Sequence, residues 1–113
     1  NCVQLEIRTS PYTDIFNKRY CLNEVQVKQL LVLLNDTTNY ISGECGSYTR
    51  DAAFLFLQQD NDRVVVASQV SISYNCGQLR FDPDPRWFEY GQLTNEAFET
   101  LTGMVQIIKS NSD

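Results

Sequence analysis

The sequence predicts an α+β fold: a mainly antiparallel sheet of three to five strands, two helices packed on one of its faces, and disulfide staples. Three observations lead there. Two stretches space their apolar residues as helices do, several shorter ones alternate or run apolar as strands do, and four cysteines occur in 113 residues. The expected order is β-α-β-β-β-α. No repeat, linker or low-complexity segment interrupts it, so residues 1–113 read as one α+β domain of ordinary size.

Val3, Leu5 and Ile7 alternate with Gln4, Glu6 and Arg8, the period of a half-buried strand. Ser10-Pro11 breaks it, and residues 12–20 carry no assignable pattern. Asn23 and Gln26 make a capping box at the start of a helix over 24–34. Val27, Leu30, Leu31 and Leu34 are its expected buried face, and Asn35-Asp36 ends it. Gly43, Gly46 and Ser47 put Cys45 in a loop. Residues 52–57 read as an apolar strand covered on both sides.

Asp60-Asn61-Asp62 marks a turn, and residues 63–74 return as a long strand. Its Val64, Val66, Val70, Ile72 and Tyr74 face the core, leaving Ala67, Gln69, Ser71 and Ser73 to meet water. Gly77 permits a bend before a short strand over 78–81. Asp82-Pro83-Asp84-Pro85 excludes a regular ladder, because proline has no N–H to donate. An aromatic loop, Arg86 to Gly91, follows. The closing helix shows Ala97, Phe98, Leu101, Met104, Val105 and Ile108 on one face. Thr94 is its expected N-cap, Glu96 suits the first turn, and Gly103 weakens the helix or permits close packing.

The cysteines lack the spacing of a zinc site, and the chain has no histidine. Two disulfides in an oxidising compartment are the expectation. With Asp60-Asn61 as the hairpin turn, the antiparallel register carried back along both strands brings Cys45 opposite Cys76. The preferred pairs are therefore Cys45–Cys76 and Cys2–Cys21. The chain opens on Asn1 rather than Met, which fits a removed signal peptide and equally an ordinary trimmed boundary.

A net charge of −5 and singly scattered basic residues argue against nucleic acid, and no apolar run is long enough to span a membrane. Without histidine there is no Ser-His-Asp or Cys-His nucleophile system and no histidine base. The dispersed glycines form no phosphate loop. Asp82, Asp84 and Glu89 flank Trp87 and Tyr90, the ingredients of a carboxylate glycosidase, a glycan binder or a calcium loop, but in no specific pattern. Arg86, Trp87 and Tyr90 are the residue types most enriched at binding hot spots. The loop either presents them to a partner or folds Trp87 and Phe88 back onto the core.

Leu33-Leu34-Asn35-Asp36 with Tyr40, then Cys45, Asp51-Ala52-Ala53-Phe54-Leu55-Phe56 and Tyr74-Asn75-Cys76 resemble a group of small exported bacterial proteins of the periplasm or envelope. The likeness covers residues 22–81. It implies an exported location and the Cys45–Cys76 pairing, and carries no activity. The expected function is a non-enzymatic protein-binding module of the bacterial envelope, such as an inhibitor or an immunity protein. It needs no cofactor or metal, and Asp82, Asp84, Arg86, Trp87, Glu89 and Tyr90 would meet a basic protein partner. The alternatives are an accessory exported domain without a tight partner, and a carboxylate-dependent glycan hydrolase or glycan binder.

Overall fold

The computed structural model describes residues 2–9, 18–43, 45–83 and 91–111. Its class is α+β, but the sheet has seven strands, more than the three to five expected, in the order β2-β1-β4-β5-β6-β7-β3. All neighbours pair antiparallel. The strands are β1 (Cys2–Ile7), β2 (Lys18–Cys21), β3 (Tyr40–Ile41), β4 (Ala52–Asp60), β5 (Arg63–Ser73), β6 (Gln78–Asp82) and β7 (Gln92–Leu93). The helices are α1 (Glu24–Asn35) and α2 (Asn95–Asn111), with a 3-10 turn at Thr37–Asn39. The strands missing from the expected order are β2, β3 and β7. Two of these are only two residues long, too short to show any period, and Lys18-Arg19-Tyr20-Cys21 has no apolar alternation.

Helix caps follow local chemistry. Asn23 accepts from the Gln26 N–H at 2.8 Å and Gln26 returns the bond to the Asn23 N–H at 2.9 Å. Thr94 Oγ1 accepts from the Ala97 N–H at 3.2 Å. At the far end of α1 the open carbonyls of Leu33 and Leu34 receive the Asn39 amide and the Tyr40 hydroxyl, at 2.8 and 2.6 Å. Burial, and then the nearby Asp36 charge, push the Tyr40 phenol up to about 12, so it stays a donor.

Both helices pack on one sheet face. Val3, Leu5, Phe54, Val70, Ile72 and Leu79 from the strands meet Leu30 and Leu33 of α1 and Ala97, Leu101, Val105 and Ile108 of α2. Leu31, expected inside, is 40% exposed, and Leu33 takes its place.

The β4–β5 hairpin turns one residue later than expected. Asp60 opposes Arg63, and Asn61 occupies the left-handed region at φ 56°. Gln59, expected opposite Asp62, faces Val64; beyond an irregularity at Phe56/Leu57, Ala52 faces Ile72. The Cys45–Cys76 disulfide is nonetheless present, with its Cα atoms 5.9 Å apart. The two cysteines are not ladder partners: Cys45 lies in the loop before β4 and Cys76 in the turn after β5. Gly77, at φ 63°, completes that turn.

The second sheet face is not the water-facing surface expected. Ser71 and Ser73 are buried, at 8% and 0% exposure. The loop at residues 45–51 covers them: Tyr48 hydroxyl and Ser71 hydroxyl lie 2.5 Å apart, and the Thr49 N–H donates to Ser73 Oγ. The disulfide spans 31 positions, which in a chain-entropy account is worth about 3–4 kcal/mol. Replacing Cys45 and Cys76 together by alanine should lower unfolding stability by about that amount, read as a shift in the urea midpoint.

Candidate functional site

Three features of the described residues bear chemistry: a polar cluster on the loop-covered sheet face, a pair of thiols at its edge, and a groove between the helices.

The polar cluster centres on Glu6, which is 8% exposed. Register sets Glu6 of β1 beside Arg19 of β2 and Ala53 of β4. Arg19 Nε donates to Glu6 Oε2 and Arg50 Nη1 to Glu6 Oε1, both at 2.9 Å. Arg50 Nη2 continues to Gln69 Oε1 at 3.0 Å, and Gln69 Nε2 to Asp82 Oδ2 at 3.4 Å. Alongside, the Arg80 guanidinium lies over the Tyr48 ring, 3.8 Å from its centroid. Burial alone raises the Glu6 carboxyl; hydrogen bonds and charges from Arg50 and Arg19 outweigh it, and the net shift is downward. A carboxylate held ionised by two arginines is a poor general acid and has no free lone pair aimed at a substrate. Its chemistry is structural.

Of the residues expected to contact a partner, Asp82 sits exposed at the end of β6, bonded to Gln69. Asp84, Arg86, Trp87, Glu89 and Tyr90 lie outside the described residues. Among those described, no group of three or more His, Cys, Asp or Glu is placed to hold a metal ion.

Cys2 and Cys21, expected as a second disulfide, are free thiols. They are close nonetheless. The Cys2 thiol is raised by burial first, then by the Cys21 charge and by a hydrogen bond with Cys21.

The groove runs between α1 and α2 on the surface of the helix layer and measures about 760 Å³. Leu33 and Ala97 form its buried floor, and Val32, Met104 and Ile107 its apolar walls. Val32 is 70% and Ile107 57% exposed. Asp36, Glu96 and Glu99 rim it, against one cation, Lys28. Gly103 also lines it, and a Cβ added there would meet nothing within 4 Å. Internal packing therefore gives no reason for glycine at an exposed position inside a helix, where it costs about 0.5–1 kcal/mol relative to alanine.

Sequence reasoning missed this groove. The signal was present in α1, where Val32 is an apolar residue outside the expected buried face. Comparison with protein-family models, curated proteins and solved structures finds no match to this chain. The likeness to small exported bacterial proteins thus rests on residue spacing alone. The chain defines itself by class: a disulfide-stapled α+β domain with an acidic-rimmed interhelical groove.

Two outcomes follow from the geometry. Because Glu6 is held below the ordinary carboxylate value of about 4.3, its contribution is complete above that pH and is lost as pH falls through the lowered value. Glu6→Gln should cost about 1.5–3 kcal/mol at neutral pH and flatten the acid limb of stability, measured by urea unfolding at stepped pH. Gly103→Ala should instead raise unfolding stability by about 0.5–1 kcal/mol, measured the same way.

Proposed function

We propose that this chain is a non-enzymatic protein-binding domain whose α1–α2 groove receives a basic amphipathic helix of a partner protein. The groove carries the reading: its floor and walls are apolar, its rim is acidic, and Gly103 leaves room for close backbone approach. A helix with an apolar strip flanked by Lys and Arg would bury Val32 and Ile107 while pairing its cations with Asp36, Glu96 and Glu99. The net charge of −5 favours the same partner by steering its approach.

Three further features support binding rather than catalysis. The chain has no histidine, the most buried carboxylate among the described residues is neutralised by arginines, and the sheet beneath the helices is stapled. The Cys45–Cys76 bond points to an oxidising, exported compartment, and among the described residues no helix is long and apolar enough to cross a membrane. Within that compartment we read the domain as an inhibitor or immunity protein of a bacterial envelope, on its small size, acidity and likeness to exported bacterial proteins.

The test places a photo-crosslinking side chain at position 107 in the groove or, as control, at 64 on β5. Each protein is exposed to extracts and culture medium of the source cells. The expected result is one basic protein captured from 107 and not from 64. Its purified form should then associate more slowly, and with weaker salt dependence, when Glu96 and Glu99 are both changed to lysine. Equal capture from both positions, no capture, or an association rate indifferent to the charge reversal overturns the reading.

A further inference from the structure

We propose that Cys2 and Cys21 are a reversible dithiol–disulfide pair that reacts with low-molecular-weight disulfides, distinct from the Cys45–Cys76 staple and independent of the groove. The ladder places the sulfurs together. Cys21 opposes Gln4, and Cys2 precedes Gln4 by one strand period, so all three side chains share one sheet face. Cys2 and Cys21 are therefore diagonal neighbours across the β1–β2 ladder. Around them, the Gln4 amide nitrogen donates to Cys21 Sγ and the Cys2 thiol lies against the Val3 carbonyl, both at 3.8 Å.

The two sulfurs divide the chemistry. Cys21 is exposed on the outermost strand and open to a reagent, while Cys2 is half-buried behind it. The Cys21 thiolate attacks one sulfur of a disulfide such as oxidised glutathione, breaking its S–S bond and releasing one glutathione thiolate. The Cys2 thiolate then attacks the Cys21 sulfur, forming the Cys2–Cys21 bond and releasing the second glutathione thiolate. The two thiol protons end on the two released thiols, so the protein loses two electrons and glutathione disulfide gains them.

Closure would act on one edge of the sheet. β2 has four residues and pairs only with β1. It leads through Leu22, whose N–H donates to the Val3 carbonyl at 3.0 Å, into the capping box of α1. A bond from Cys2 to Cys21 would tie that edge strand and the entry to α1 onto β1.

The experiment equilibrates the full chain against a series of oxidised-to-reduced glutathione ratios, quenches with acid and an alkylating agent, and maps unreduced peptides by mass. The expected result is a Cys2–Cys21 linked peptide that grows as the ratio rises and disappears when it falls, with Cys45–Cys76 linked throughout. Cys2→Ser, with helix content checked by circular dichroism, should retain glutathione on Cys21. Amide exchange across β2 should slow on closure. Glutathione persisting on Cys21 of the unmutated chain, thiols that stay alkylatable at every ratio, or links from Cys2 or Cys21 to the other two cysteines would overturn the proposal.

Discussion

The Cys45–Cys76 bond holds the residue 45–51 loop down on the sheet face opposite α1 and α2, and much of the molecule depends on that contact. A seven-stranded sheet has two faces to bury, and this chain supplies helices for one. On the other, Ala53 and Leu55 of β4 are almost fully buried beside Ser71 and Ser73. Buried hydroxyls cost free energy unless they are hydrogen-bonded. Tyr48 and Thr49 of the loop provide the partners, and Arg50 reaches across to neutralise Glu6. Asp51 closes the arrangement by accepting the Tyr74 N–H at 2.8 Å. Without the covalent tie, a seven-residue loop would have to hold that position through polar contacts, each worth only about 0.5–1.5 kcal/mol.

A sheet made rigid from one side is a platform for the helices on the other. α1 and α2 each bury one stripe in the core and meet along their flanks. The stripes account for Leu30, Leu33, Ala97, Leu101, Val105 and Ile108. They do not account for Val32, Ile107 or Gly103, which lie above the core contacts and line the groove. Scattered exposed apolar residues need no explanation, but a contiguous set with an acidic rim and a glycine that internal packing does not require is a different observation. The same economy appears in the polar groups. Among the described residues the carboxylate that is most buried, Glu6, is held by two arginines, whereas Asp36, Glu96 and Glu99 stand open on the rim.

The parts of the fold legible in the sequence are those written in local chemistry. Both helices carry a 3.6-residue stripe and a capping side chain at the right offset, and both form where expected. The central strands of β1, β4, β5 and β6 announce themselves by alternation or by an apolar run. What escaped was non-local. Gln92–Leu93 is a strand only because β6 and Tyr40–Ile41 pair with it on either side, and β2 is one because β1 offers it an open edge. The hairpin register slipped because Asn61 rather than Asp60 takes the left-handed turn position, and an irregularity at Phe56/Leu57 shifts the ladder again. The Cys45–Cys76 pairing survives that slip because both cysteines sit outside the ladder, in the connections at the same end of the hairpin. Cys2 and Cys21 were placed near each other correctly, on adjacent strands and one sheet face, but they are free thiols rather than a second staple.

The sequence by itself determined the fold class, the two helices with their caps, the main strands and one disulfide, because each is encoded by neighbours within a few turns or by cysteine chemistry. Only the tertiary structure decided the strand count, the sealing of the second face and the groove. Those depend on which backbone edges find partners and which apolar residues remain once the core is filled. A period in the sequence shows that a face is apolar; only packing shows whether anything inside the molecule covers it.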